Sequence, residues 1–393
     1  MRSCESFSDG NSHGMMLRPE PTSPVSELVF GLREAASLVK NLPARASARA
    51  CAWRCSVAPG PDPALNYGRA LQPKGGGLPI GGQIKLIPLR QRFPERFDAF
   101  NLVYLVSSAL PPHAEEIVAA AKSKGAKLVW NQNGIAYPGC YGDFYPWFNR
   151  RMAALRSQAD YIFNQSEFSR HGADRYLGAS SAPSEICLNP VDIGMFSPGG
   201  PALEQEPWQI LAAGTSHALY RTKSALDTLR VLLARGRPAH LTIAGEFRWK
   251  GAAAQVCKEM EGIREHVTLL PPFLQIAAPA IYRQAHVLLH TKFNDPCPTV
   301  PIEAMACGVP VVGTHSGGMP ELFSKECGIL VPITQSWTRD IAGDPGRLAD
   351  AVERTMENHV AMSRAAREHA VRTFDLARWL ARHDGVFRSL LAS

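Results

Sequence analysis

FNDPCPTVPIEAMACGVPVVGTHSGGMPE, residues 293–321, holds an acid, a proline-rich turn, a helical segment, an apolar strand and a Gly-Gly loop in one short stretch. Asp295 and Glu303 stand eight positions apart. Pro296 and Pro298 mark a turn after Asp295, and a helix starting near Thr299 carries Glu303 about one turn inside it. The first N–H groups of a helix have no internal partner, and the macrodipole leaves partial positive charge there. The amides of Thr299 and Val300 are therefore candidate phosphate donors. Pro301 costs nothing at such a position, because its missing N–H would be an orphan anyway. A carboxylate is acceptor-only and takes two hydrogen bonds at once, so Glu303 suits a ribose diol and Asp295 a sugar hydroxyl. Val309 to Val312 reads as a buried parallel strand, and a ligand of such a sheet belongs beyond its carboxyl end. Gly317 and Gly318 follow directly and let backbone come close to that ligand.

At 393 residues the chain exceeds one ordinary core, which predicts two domains of about 150 to 200 residues each. A hydrophobic content of 45% with 20% charged residues describes a soluble globular protein. No run of eighteen apolar residues occurs, so no membrane span is expected and the cytoplasm is the expected location. The net charge of +7 favours anionic ligands, while the absence of RNP, helix-turn-helix or zinc-finger spacing argues against nucleic acid as a partner. The nine cysteines are scattered. Cys51 and Cys55 form the one close pair, without the second pair or His cluster a zinc site needs, so free buried thiols and no metal are expected. Residues 1–60 lack the basic start and apolar core of a signal peptide and read as a poorly ordered extension, although Leu28 to Val39 has the pattern of one amphipathic helix.

The glycines Gly75, Gly77 and Gly81 approximate a dinucleotide fingerprint, but Ile80 stands where the third glycine belongs and Glu95 arrives too early for the ribose role, which excludes that reading. No first strand stands out; Ala52 to Ala58 fits poorly. From Asn101 the pattern alternates. Strands are expected at Asn101 to Ser107, Lys127 to Trp130, Asp160 to Asn164 and Glu185 to Leu188, with helices at Pro112 to Lys124, Phe144 to Gln158 and Glu167 to Leu177. A second series follows: strands at Ile210 to Ala213, Leu241 to Ala244, Val267 to Leu270 and Val287 to His290, with helices at Lys223 to Ala234, Ala253 to Gly262 and Ala277 to Gln284. Helices from Asp344 to Leu391 close the chain. Strands separated by helices imply an α/β protein of two tandem doubly wound parallel-sheet, Rossmann-like domains, residues 61–198 and 199–374.

The opening stretch resembles the acid-x7-acid motif of group 1 (family four) retaining glycosyltransferases, with IEAMACGVPVV and GGMPE close to the family's EAMACGxPVV and GGxxE. Asp295 replaces the first Glu, and Pro298 stands where a Gly is common. The resemblance runs over roughly residues 62 to 375 and is sharpest after 285. It implies the GT-B fold, two domains facing a cleft, with a last helix at 375–393 packing back on the first domain. It also implies a nucleotide diphosphate sugar as donor substrate, no cofactor, no metal, and an acceptor hydroxyl on a glycan, lipid carrier or small molecule. Gly81 and Gly82 fall in the loop that faces the donor diphosphate. After Gly214 the family usually places an Arg and a Lys on that diphosphate; Thr215 takes the Arg position and Arg221, with Lys223 as close competitor, the Lys position. Asn131 and Asn133 stand where the family often carries a His that touches the donor sugar.

Other features have two readings each. Tyr137, Tyr141, Phe144, Tyr145 and Trp147 can stack on an acceptor or pack among themselves. Lys85, Arg90, Arg92 and Arg96, interleaved with Ile84, Leu86, Ile87, Leu89 and Phe93, form either a solvated helix face or a peripheral contact with an anionic membrane at its inner face. His171, His286 and His290 read as packed or surface histidines. Two rivals to transfer remain: a nucleotide-sugar epimerase of the same fold, and a catalytically silent sugar-nucleotide-binding protein, which Thr215, Asp295 and the missing His would suit.

Overall fold

The computed structural model describes residues 42, 46, 57–58, 60–68, 82–111, 113–200 and 204–392. The expected Leu28 to Val39 helix, Gly75, Gly77, Gly81 and the Cys51/Cys55 pair lie outside them. The chain divides into two compact units, one running to Leu188 and resuming at Ala377, the other spanning Asn189–Leu376. The division falls before the expected 198/199 boundary because the intervening segment is bonded into the second unit. Asn189 donates through Nδ2 to the Cys297 carbonyl at 2.6 Å, and the Val191 amide donates to the Phe374 carbonyl at 2.7 Å.

In the first unit, β1 (Leu65–Asn66), β2 (Leu102–Val106), β3 (Lys127–Gln132), β4 (Tyr161–Asn164) and β5 (Ser184–Ile186) make a parallel sheet in that order. Every residue of β2, LVYLV, is buried, as expected of a parallel strand covered on both faces. Val103, Leu105, Leu128, Trp130 and Ile162 pack with Ile117 and Val118 of the Ala114–Ser123 helix. Tyr104 meets the Leu376–Ala392 helix, its hydroxyl 3.1 Å from Nε2 of His383, and the His383 ring stacks on Phe163 with centroids 4.0 Å apart. The basic stretch forms the Gly82–Arg92 helix, with Pro88 inside it. Lys85 belongs to its buried side rather than to a basic face: it donates to Oδ1 of Asn131 at 3.0 Å and of Asn133 at 2.7 Å.

In the second unit, β6 (Trp208–Ala213), β7 (Ala239–Ala244), β8 (Val267–Leu270), β9 (Val287–His290), β10 (Val311–Thr314) and β11 (Gly328–Val331) form a parallel sheet in the order β11-β10-β9-β6-β7-β8. Its core gathers Ile210, Leu241, Val287, Leu289 and Val312 with Leu226 and Leu229 of the Leu219–Ala234 helix and Leu348 and Val352 of the Pro345–Glu357 helix. The motif strand starts at Val311, two residues later than expected, after Pro310, which has no N–H to give a ladder. The first strand of this sheet in chain order, β6, has β7 on one side and β9 on the other. The order of strands therefore reverses between β6 and β9, and in open α/β sheets ligands bind beyond the carboxyl ends at such a switch point.

Cys140, Cys187, Cys297, Cys307 and Cys327 are free thiols, whereas Cys257 is disulfide-bonded, a departure from the all-thiol expectation. Among the described residues no helix is long and apolar enough to cross a membrane.

Candidate active site

At the switch point β6 ends at Ala213 and β9 at His290, and the Thr299–Ala306 helix begins after the turn that follows β9. Pro298 occupies the N-cap in extended geometry and no side chain caps the first turn, so the leading amides keep their hydrogen-bonding capacity for a ligand. A β-carbon on Gly214, the residue after β6, would lie 3.4 Å from Val300 Cγ2, so the helix start abuts that turn.

Glu303 projects from the second turn and is 6% exposed. Its Oε1 accepts from Gln275 Nε2 at 2.9 Å and its Oε2 from the Tyr282 hydroxyl at 2.8 Å. Each carboxylate oxygen has a second lone pair, so two acceptor sites remain for a diol. Burial raises the Glu303 pKa, and the two donors oppose that rise. Asp295 behaves in the opposite way: burial alone would raise its pKa, but Lys292 and His290 hold the carboxyl well below the usual range. Lys292 Nζ lies 3.0 Å and His290 Nε2 3.6 Å from Asp295 Oδ2. The two acids are thus differentiated, Asp295 firmly ionised and Glu303 easier to protonate.

The Gly-Gly loop holds Asp295 from behind. The Gly318 amide donates to the Asp295 carbonyl at 2.8 Å. Gly317 has φ +61°, and a β-carbon there would sit 2.5 Å from that carbonyl oxygen. Gly317→Ala is expected to cost about 1–3 kcal/mol in stability through the left-handed backbone and the clash. Urea denaturation measures this.

The two candidate cations lie in different surroundings. Arg221 is half-buried near the end of β6, where Nη1 donates to the Thr215 carbonyl at 2.6 Å and Nη2 to the Ala213 carbonyl at 2.9 Å. Burial lowers its pKa while the charge of Asp295 supports it. Lys223, by contrast, pairs with Glu259 at 2.9 Å and Asp227 at 3.2 Å with its side chain 47% exposed, apart from the acids. Thr215 takes part through its backbone carbonyl.

In the first unit, Gly82 fits where a β-carbon would meet Ser108 Oγ at 2.5 Å and Asn133 Nδ2 at 2.8 Å. Asn133 donates to Ser108 at 2.7 Å and accepts from Lys85, so its amide is engaged within the unit. The aromatic group packs on itself and its neighbours, with Tyr141 on Phe148 and Tyr145 on Tyr176 at centroid distances of 4.4 and 5.3 Å. Reading the sequence alone missed His290, Lys292, Gln275 and Tyr282. For the first two the available signal was their position, at and just past the carboxyl end of a strand that leads into the acid.

Known proteins resemble the chain in sequence and in structure. Residues 209–358 match the family described as Glycosyl transferases group 1. The D-inositol 3-phosphate glycosyltransferase of Mycobacteroides abscessus is 29% identical over 239 residues, 56% of this chain and 48% of that protein. Its counterpart from Segniliparus rotundus is 28% identical over 254 residues, 61% of this chain and 54% of that protein. The chain thus spans about half the length of these relatives. Among solved structures, Anabaena HepE in complex with UDP superposes with a TM-score of 0.61 at 17% identity, covering 78% of this chain and 81% of that one. Sucrose-phosphate synthase from Thermosynechococcus elongatus gives 0.60 at 17% identity, covering 78% and 76%. The two parallel-sheet α/β units match the GT-B fold of these solved structures. The match to the Glycosyl transferases group 1 family lies in the unit that holds Asp295, Glu303 and Arg221.

Proposed function

We propose that the chain transfers a sugar, with retention of anomeric configuration, from a nucleotide diphosphate sugar to an acceptor hydroxyl. The observation that carries this reading is the uncapped start of the Thr299–Ala306 helix beside two buried and differently tuned acids at a switch point. The diphosphate takes the amides of Thr299 and Val300, within the field of Arg221. The ribose diol donates to Glu303 and a sugar hydroxyl to Asp295. The sugar C1–oxygen bond to the diphosphate breaks as the bond to the acceptor oxygen forms on the same face. The acceptor proton passes to a phosphate oxygen and the nucleoside diphosphate leaves. The protein's part is to position the reactants and to stabilise the charge that gathers on the leaving group. A glycan, a lipid-linked saccharide or a small polyol, such as the one that names the relatives, supplies the hydroxyl.

Incubation with UDP-, GDP- and ADP-sugars, with and without acceptor extracts, tests the reading. Nucleoside diphosphate release that rises with acceptor supports it. Epimerised donor without transfer points to the epimerase, and binding without turnover to a silent binding protein.

A further inference from the structure

His290 is the last residue of β9, is 2% exposed and lies at the switch point. Among the described residues neither of its ring nitrogens has a hydrogen-bond partner. A buried imidazole with both nitrogens unmet is costly, and here Asp295 Oδ2 lies 3.6 Å from Nε2, beyond hydrogen-bond range. The same oxygen is already touched by Lys292 Nζ at 3.0 Å. Both nitrogen-bearing side chains thus converge on one oxygen of the carboxylate and leave Oδ1 to other partners. Burial keeps the His290 pKa below its ordinary value against the pull of Asp295, so the ring is neutral near neutral pH, with one N–H to give.

Resting on the donor reading above, we propose that His290 is a positioning residue for sugar transfer: its N–H closes on Asp295 Oδ2 when the donor enters, and with Lys292 it fixes the carboxylate so that Oδ1 accepts from one donor-sugar hydroxyl. Hydrogen bonds that serve chemistry are commonly long in an empty site and shorten in the complex. With Oδ2 held, Oδ1 stays available to the donor sugar, so in the proposed donor pose His290 and Lys292 act on the sugar and not on the nucleotide.

The test uses the full chain as wild type, His290→Leu, His290→Gln and Lys292→Met. Calorimetry is run with UDP-glucose, UDP-N-acetylglucosamine and GDP-mannose and their parent diphosphates, and the tightest donor is carried into steady-state kinetics with an acceptor extract. Affinity for the parent diphosphate should stay within about twofold throughout, while kcat at saturating donor falls about ten- to a hundredfold in His290→Leu, the range of one charge-assisted hydrogen bond. His290→Gln, which keeps an N–H donor, should recover most of that loss. Equal weakening of donor and parent diphosphate without recovery in His290→Gln assigns His290 to packing and overturns the proposal, as does an unchanged kcat in His290→Leu. If His290→Leu fails to fold, the comparison of Lys292→Met with His290→Gln decides: a kcat loss confined to Lys292→Met supports shared control of Oδ2, and normal kcat in both overturns it. A wild type that binds no nucleotide sugar removes the donor reading and this proposal with it, whereas a working wild type indifferent to His290 removes only the positioning role.

Discussion

Asp295→Asn is expected to lower kcat/KM for sugar transfer by about a hundred- to a thousandfold, the scale set by removal of one preorganised polar group from a reacting centre. The substitution keeps the shape and removes the charge that Lys292 and His290 surround. An amide accepts through one oxygen only, so in the proposed donor pose the contact to the sugar hydroxyl would lose its ionic character while the amides of Thr299 and Val300 would keep their hold on the diphosphate. Binding of the bare nucleoside diphosphate should therefore change little, and calorimetry with UDP or GDP beside a kinetic assay separates the two effects. A parallel loss of nucleotide affinity would move Asp295 from the sugar to the nucleotide.

In the proposed donor pose Glu303→Gln acts at the other end of the ligand. Its carboxylate is held by Gln275 and Tyr282, and the amide replacement turns one acceptor oxygen into a donor that faces one of those two groups. The ribose diol then meets a single oxygen. Nucleoside diphosphate affinity is expected to fall about ten- to a hundredfold, as for loss of a hydrogen bond to a charged group. A pH signature accompanies it. Because burial raises the Glu303 pKa, wild-type affinity should decline as pH falls through that raised value and the acceptor oxygen becomes protonated. Glu303→Gln, which has no such proton to gain, should lack this component. Affinity that is pH-independent in the wild type, or unaltered by the substitution, takes Glu303 off the ribose.

The second sheet was legible in the sequence because its strands are short apolar runs between helical segments: Val267–Leu270 and Val287–His290 stand at the residues where alternation places them. β1 was not, since Leu65–Asn66 is too short to show a period, and β11 was passed over because it opens on Gly328. The acids were visible through their spacing around a turn and a helix. The choice between Arg221 and Lys223 was not, because residues two apart on a helix point to different faces and only the packed sheet decides which face looks toward β9. Lys85 shows the same limit from the other side. A basic residue within an amphipathic pattern reads as solvated, yet the buried amides of Asn131 and Asn133 gave it a place inside. His290 was read as a packed or surface histidine, and it is packed; what the sequence could not carry is that its ring nitrogens are unmet and that one of them faces Asp295.

The most direct measurement is a crystal structure of the chain soaked with UDP-glucose or GDP-mannose, whichever binds. The account predicts a diphosphate within hydrogen-bond distance of the Thr299 and Val300 amides, the ribose diol on Glu303 and a hexose hydroxyl on Asp295. A nucleotide seated elsewhere, with Glu303 still meeting only Gln275 and Tyr282, would contradict it.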